Sequence, residues 1–318
     1  MSEVAVVIPA YNAASYLGET VASVLASHSV TTEIVIVDDG SKDDTVAVAH
    51  RLAHELPATI QVIEQQNAGV SVARNTGFAH ASAPYVCFLD ADDRLRPDAL
   101  AALKALLDQD GECIAAYGDV AYIDQDSKPL PFRARKSPKP SGNLLASILE
   151  GNLIDTPGAV LFRSSAVKRA GGFKAGLRRS QDWEFYVRMA QQGKIAACER
   201  IVMDYRLHPK SLSHESSTAD TFEEALSLAF SGVRNAGVLP NNLLDRLEAR
   251  RRASTLRLIA IRSHSLSLTT LAAMLRLCLS SRFDARVLQM TVRTMLSALK
   301  AGLLANSLRS RSGGKNAA

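Results

Sequence analysis

At 318 residues, 47% of them hydrophobic and 22% charged, the chain has enough apolar material for one substantial domain and an appendage, which excludes a disordered or fibrous polypeptide. The formal charge of +5 is unevenly spread: from Ser231 onward 15 Lys and Arg face 3 acids, a net +12, so residues 1 to 230 carry −7. Cys87, Cys113, Cys198 and Cys278 lie far apart without a Cys-x-x-Cys pair, which argues against a zinc site or disulfide framework and fits a reducing compartment.

The chain opens Met-Ser-Glu and reaches Pro9 without the basic start and unbroken apolar run of a secretory signal. It also lacks a stretch of about 18 to 20 uncharged apolar residues. A cytoplasmic protein that does not span a membrane is expected.

Short Val- and Ile-rich runs predict buried strands at Val4 to Ile8, Glu33 to Val37, Thr59 to Glu64 and Tyr85 to Leu89. Amphipathic stretches at Ser15 to Ser27, Thr45 to Leu56 and Ser71 to Ala81 lie between them and are long enough for crossover helices. This alternation predicts an α/β fold: a Rossmann-like, mostly parallel sheet with helices on both faces. Further strands are expected around Cys113 to Tyr122, Ala159 to Arg163 and Ala196 to Tyr205. Between the first two, Ser127 to Ser141 holds Pro129, Pro131, Pro138 and Pro140 beside Arg133, Arg135, Lys136 and Lys139, the pattern of an exposed, mobile loop.

Beyond Thr221 the signals are purely helical, with Asp220 or Thr221 as the N-cap candidate and a break at Gly237 to Asn242. The expected division is therefore 1–220 as the main domain, 221–308 as a C-terminal helical appendage, and 309–318 as a disordered tail.

In an open parallel sheet, ligands bind beyond the carboxyl ends of the strands, where strand order reverses. Here those positions read Pro9-Ala10-Tyr11-Asn12, Asp38-Asp39-Gly40-Ser41 and Asp90-Ala91-Asp92-Asp93. Two acids before Gly40 exceed what a turn requires, although Asp43 or Asp44 is adequately explained as the cap of the following helix. A carboxylate at Asp39 could accept the imide N–H of a pyrimidine, while Asp38 fixes the loop. Three carboxylates within four residues at 90–93 repel one another unless a cation sits among them. Hard oxygen ligands suit Mg or Mn, which take one or two carboxylates plus nucleotide phosphate oxygens. The plain alternative is a capped loop entering the helix near Pro97. Neither a Gly-x-Gly-x-x-Gly after the first strand nor a P-loop occurs, which counts against dinucleotide and P-loop enzymes.

Four runs in this order, Val7-Ile8-Pro9-Ala10-Tyr11-Asn12, Val37-Asp38-Asp39-Gly40-Ser41, Asn67 to Gly77 and Phe88-Leu89-Asp90-Ala91-Asp92-Asp93, resemble the family 2 glycosyltransferases, which adopt the glycosyltransferase A fold. Gly171-Gly172-Phe173, Gln181-Asp182-Trp183-Glu184 and Tyr205-Arg206-Leu207-His208 extend the resemblance over residues 1 to about 215. It implies an enzyme moving a single sugar from a nucleotide-sugar donor, a UDP-sugar foremost, to a glycan or lipid-linked acceptor, with Mn or Mg as cofactor. Pro9, Tyr11, Asn12, Asp39, Arg74, Asp90 and Ala91 would then line the nucleotide site. Asp92 would bind the divalent cation, with His208 either a second ligand, a phosphate contact or an ordinary buried histidine. Asp182 would be the general base that takes the acceptor hydroxyl proton.

Each role has a plainer counterpart: Asp182 as a helix-start acid after a Ser180 cap, Arg74 as a surface arginine, and the lone Trp183 as core rather than a sugar platform. Gln181 stands where the family often has Glu, which keeps the base but removes a neighbouring charge. The processive synthases' Gln-x-x-Arg-Trp motif is absent. A noncatalytic nucleotide- or glycan-binding relative and a nucleotidyltransferase are the alternatives; the second normally needs a Gly-rich phosphate loop that Pro9 to Asn12 does not provide.

In the last helix Arg282, Arg286, Gln289, Arg293, Ser297 and Lys300 recur on one side and Leu288, Val292, Met295, Leu299 and Leu303 on the other. This predicts either a helix packed on its own bundle with a solvated basic face or peripheral attachment to an anionic membrane surface. Nucleic acid is not an expected partner, since no recognition module accompanies the charge.

Overall fold

The computed structural model describes residues 2–56, 59–131, 139–177, 179–208, 219–262, 276, 279, 284–294 and 296–297. The chain divides into two compact units: Met1–Ile148 with Asn152–Leu212, and Leu149–Gly151 with Ser213–Ala318. The expected 309–318 tail, Cys278 and the centre of the Pro-rich loop at 132–138 lie outside the described residues.

The first unit opens with β1 (Val4–Ala10), α1 (Leu17–Leu25), β2 (Thr32–Asp38), α2 (Thr45–Glu55), β3 (Ile60–Glu64), α3 (Val70–His80) and β4 (Tyr85–Phe88). The strands are the Val- and Ile-rich runs; all seven residues of β1 are buried, as a strand covered on both faces must be. β1 pairs in parallel with β2 on one side and β4 on the other, and β2 pairs in parallel with β3. Strand order therefore reverses at β1, which places the ligand crevice beyond the carboxyl ends of β1 and β4. The β4 ladder reaches only Val7, so Pro9, two residues further on, faces no β4 partner. A proline within a central strand is tolerated where its missing N–H leaves no ladder bond unmade.

α3 lies close enough to this sheet that a Cβ on Gly77 would fall 2.4 Å from Val7 Cγ1 and 3.0 Å from Val37 Cγ2. Only glycine permits that approach.

The chain continues through β5 (Arg94–Leu95), α4 (Ala99–Gln109), β6 (Cys113–Ile123), α5 (Leu145–Glu150), a 3-10 turn at Pro157–Ala159, β7 (Val160–Arg163), α6 (Ser164–Ala170), α7 (Gln181–Ala190) and β8 (Lys194–Arg206). The eight-stranded sheet runs β3-β2-β1-β4-β7-β6-β8-β5. β7 is antiparallel to β4 and β6, β5 is antiparallel to β8, and β6 and β8 are parallel with three register shifts.

The described flanks of the Pro-rich loop are exposed at Lys128, Pro129, Pro131, Pro140 and Ser141, but two of their residues are held by side-chain contacts. Lys139 is buried, with Nζ 2.8 Å from Asp119 Oδ1, 4.7 Å from the Tyr117 ring centre and donating to the Gly118 carbonyl. Ser127 Oγ donates to Glu19.

In the second unit, α8 (Ala219–Ala236) and α9 (Asn241–Arg262) flank the expected break at Gly237. The three acids after Ser231 are all engaged: Asp245 and Glu248 by Arg234, Glu248 also by Arg252, and Asp284 by Arg250. In the helical stretch 285–294 the buried residues are Val287, Thr291 and Thr294, whereas Leu288 and Val292 are exposed, as is Leu296. Of the apolar stripe, Leu288 and Val292 are thus solvent-facing, while Met295, Leu299 and Leu303 lie outside the described residues. Among the described residues no helix is long and apolar enough to cross a membrane.

Candidate active site

The loops after β1 and β2 are tied to each other. Asn12, at φ 51, receives the Lys42 N–H on Oδ1 at 2.8 Å, while its own N–H donates to Ser41 Oγ at 2.9 Å. Asp38 Oδ2 accepts the N–H groups of Gly40 and Ser41, closing the turn. Asp39 Oδ1 accepts from Gln65 Nε2 and Ala68 N, and Oδ2 from Gly69 N at 2.9 Å. A carboxylate oxygen accepts two bonds readily, so Oδ2 retains capacity for a ligand N–H. Tyr11, 50% exposed, stands at the rim; Pro9 and Ala10 are buried beneath it. At the start of α2 it is Asp43, not Asp44, whose carboxylate receives the Thr45 N–H.

Asp90-Ala91-Asp92-Asp93 leaves β4 into the same crevice. The buried Thr20 hydroxyl bridges the carbonyls of Ala91 and Asp93, both at 2.8 Å, so α1 fixes this loop. Burial, then the Asp90 charge, raises the Asp92 carboxyl above the usual carboxylate range, with His208 pulling the other way. Asp93 is fully buried and held well above that range by burial and by its two acidic neighbours. Its Oδ1 accepts the Arg206 N–H, and its Oδ2 has no partner among the described residues.

Asp92 Oδ2 and His208 Nε2 lie 2.8 Å apart, brought together from the β4 loop and the end of β8. The His208 ring also packs 5.3 Å from Tyr16. One carboxylate oxygen and one imidazole nitrogen suit a divalent cation that draws its other ligands from a diphosphate. Among the described residues no set of three His, Cys, Asp or Glu side chains is arranged to hold a metal. A cation here would therefore depend on its substrate for most of its coordination.

The third group assembles around α7. Arg74 on α3 is a buried residue rather than a surface one: Nη2 meets Asp90 Oδ1 at 2.7 Å and the guanidinium lies 5.0 Å from the Phe173 ring centre. Its Nε and Nη1 have no partner among the described residues. Burial opposes its charge, but Asp90 more than compensates.

Asn75 latches the next motif, exchanging two 2.8 Å bonds with the backbone of Phe173. Gly172, at φ +67, has room for no Cβ, which would meet Asn75 Oδ1 at 2.4 Å. Phe173 in turn stacks on Phe185 of α7 at 4.2 Å, and Arg188 donates to the carbonyls of Ala170 and Gly172 while pairing with Glu184.

These contacts place Asp182 in the first turn of α7. Burial raises its carboxyl above the usual range, against the Trp183 N–H and the Arg74 charge. Ser180 does not cap the helix; it adopts a left-handed conformation, φ 57, with no side-chain capping bond. Trp183 is 1% exposed, with its indole N–H on the Ile148 carbonyl, and is core.

Arg74 with Asp90 and Asp92 with His208 are thus paired beyond the strand ends, Asp39 lies beyond β2, and Asp182 feels the charges of Arg74 and Asp90 without a hydrogen bond to either among the described residues. The sequence did not single out Glu19, Tyr16 or Tyr186. Glu19 and Tyr16 meet Arg206, and Tyr186 lies four residues past Asp182, a helical spacing that was the available signal.

Residues 5–171 match the family model described as Glycosyl transferase family 2. An uncharacterised glycosyltransferase of a Nostoc species is 30% identical over 251 residues, 77% of this chain and 76% of that one. Among solved structures, Staphylococcus aureus TarS 1-349 in complex with UDP-GlcNAc superposes with a TM-score of 0.70 at 18% identity, covering 94% of this chain and 89% of that one. The Pyrobaculum calidifontis mannosyltransferase PcManGT, solved with GDP-Man and Mn2+, gives a TM-score of 0.56 at 20% identity over 94% and 87% of the two chains. These two likenesses establish the fold. With the matched motifs gathered at one crevice and the family model spanning more than half of its length, the chain belongs to glycosyl transferase family 2 and is a nucleotide-sugar-dependent glycosyltransferase.

Proposed function

We propose that the protein is an inverting, metal-dependent glycosyltransferase. It moves one sugar from a nucleotide-diphosphate sugar, a UDP-sugar foremost, to a hydroxyl of a glycan or lipid-linked acceptor in cell-surface polysaccharide or glycolipid assembly. The observation that carries this reading is the ion pair of buried Arg74 with Asp90 at 2.7 Å beside the acidic strand-end loop, with Asp182, half-buried in the first turn of α7, within the field of both charges.

Asp39 Oδ2 would receive the uracil imide N–H, with Tyr11 and Pro9 along the base and Asn12 holding the loops in register. Asp90, oriented by Arg74, would face the ribose beside Ala91. Asp92 and His208 would hold Mn or Mg, which when bound stabilises negative charge on the departing diphosphate. Asp182 takes the acceptor hydroxyl proton as that oxygen attacks the anomeric carbon from the face opposite the nucleotide. Its raised pKa suits the task, because a base titrating closer to the working pH accepts a proton more readily than an ordinary aspartate.

Calorimetry of UDP-glucose, UDP-galactose and UDP-N-acetylglucosamine, with and without Mn2+, tests the donor site. The reading requires at least one to bind with metal and to bind at least tenfold more weakly without it. Equal affinity in both arms would remove the metal dependence, and no binding to any UDP-sugar would remove the uridine assignment.

The location proposed is cytoplasmic, peripheral on the inner face of the cell membrane. Exposed Leu288, Val292 and Leu296 adjoin the exposed cations Arg286 and Arg293, an apolar stripe beside a basic one. Phosphatidylglycerol vesicles should sediment the full chain, and Leu288→Glu with Val292→Glu should release it; equal pelleting of both proteins would refute attachment through this stripe.

A further inference from the structure

Residues four apart on a helix lie one above the other, about 6 Å between Cβ atoms, so Asp182 and Tyr186 share a face of α7. Tyr186 is 2% exposed, with its ring 6.4 Å from those of Phe162 and Phe185. Its hydroxyl has no hydrogen-bond partner among the described residues. Native proteins pair nearly all buried polar groups, and a phenylalanine would fill the same apolar surroundings without stranding an oxygen. Packing accounts for the ring but not for the hydroxyl.

The charged groups facing this hydroxyl come from four elements: Asp182 on α7, Arg74 on α3, Asp90 beyond β4 and Asp155 ahead of the 3-10 turn. Burial and then the Asp182 carboxylate hold the phenol well above its usual range, so it stays neutral and keeps a proton to donate. Arg74 pairs with Asp90 through Nη2, and its Nε and Nη1 have no partner among the described residues. Asp182 Oδ1 has the Trp183 N–H at 2.8 Å, and a second donor would offset the burial that works against its charge.

We propose that Tyr186 is a positioning residue for the Asp182 base: its O–H donates to the Asp182 carboxylate as the acceptor hydroxyl arrives, keeping the carboxylate ionised and aimed. The inference rests on Asp182 being the base. In the step itself the acceptor O–H proton passes to Asp182. The acceptor oxygen bonds to the anomeric carbon, and the bond to the diphosphate breaks with its electron pair going to the leaving group. Tyr186 neither gains nor loses a proton.

The test is the pH dependence of UDP release from a UDP-sugar with Mn2+ by the full chain, with water in place of the acceptor. Asp182 must be ionised to act, so kcat rises with pH through its pKa, and losing a donor to the anion moves that limb upward. Tyr186→Phe should shift the acid limb up by about one pH unit, a tenfold loss below the limb and little above it, with donor KM within about twofold. Difluorotyrosine at position 186, a stronger donor of nearly the same volume, should move the limb down. If Tyr186→Phe fails to fold by thermal melting, the difluorotyrosine protein decides alone.

A limb unmoved in both proteins, or a loss uniform across pH, overturns the proposal. A raised KM with a fixed limb also overturns it, assigning the hydroxyl to sugar binding instead. Failure of the base assignment looks different: Asp182→Asn would then keep both the turnover and the limb of the unsubstituted protein.

Discussion

The loop Asp90–Asp93 and the first turn of α7 both hold wholly or partly buried carboxylates above their usual pKa range, with a different balance of causes. In the loop, Asp92 and Asp93 are raised by burial and then by like charges three residues away or nearer. Asp182 has no acid beside it in the chain except Glu184, which Arg188 takes up; burial is the main cause that raises it, the Asp90 charge adds a smaller push, and the Trp183 N–H and Arg74 restrain it. Mutual repulsion is relieved by a cation, whereas a shift dominated by burial suits a single base with a tuned proton affinity. Under the proposed function, the same shift would mark a metal site in one place and a proton acceptor in the other.

The largest expected effect separates the two directly. Asp182→Asn should lower kcat by about 10³-fold, the usual scale for losing a general base, and abolish the acid limb of the pH profile. Donor affinity measured by calorimetry with Mn2+ should stay within about threefold. A comparable loss in both quantities would mean that the two carboxylate sites are one.

Asp92→Ala should do the reverse. Metal-dependent donor affinity should fall about 100-fold, because the cation loses its carboxylate, while metal-free affinity stays unchanged. If metal-dependent binding persists, the cation does not lie between Asp92 and His208.

The first half of the sheet was legible because β1, β2 and β4 are continuous apolar runs whose polar residues cluster just past their ends, a purely local pattern. The α7 cluster was legible only as separate motifs. What joins them is the Asn75–Phe173 latch, spanning 98 residues, together with the Arg74–Phe173–Phe185 stack; both exist only once the topology is formed. Ser180 looked like a cap from composition, but its backbone is left-handed and its side chain makes no capping bond. In the last helix, periodicity revealed two stripes without saying which one packs. Thr291 and Thr294 can face inward because their hydroxyls return hydrogen bonds to the carbonyls of Val287 and Met290, which hides their polarity. Lys139 looked like part of a solvated basic loop for a similar reason: nothing local announces Asp119 and the Tyr117 ring.

The smallest effect concerns what supports the acidic loop from behind. Arg206, 1% exposed, donates to the Asp92 carbonyl at 2.7 Å and to Glu19 Oε2 at 2.6 Å, with its guanidinium 4.7 Å from the Tyr16 ring centre. Glu19→Ala leaves that cation without its carboxylate, and breaking a buried pair is costly; because Glu19 is partly exposed, about 2 kcal/mol by urea unfolding is expected rather than the full penalty. Burial pushes the Glu19 carboxyl up, but the Ser127 and Arg94 hydrogen bonds and the Arg206 charge prevail and hold it below its usual range. A depressed folded pKa means a contribution present above the unfolded value and lost as pH falls through the folded one. The gap between the two proteins should therefore be full at pH 7 and close below about pH 4. Since Arg206 reaches Asp92 but not Asp182, the variant should weaken metal-dependent donor binding severalfold and leave the acid limb of turnover in place. A shift of that limb in Glu19→Ala would show that the acidic loop and the α7 base share one electrostatic environment after all.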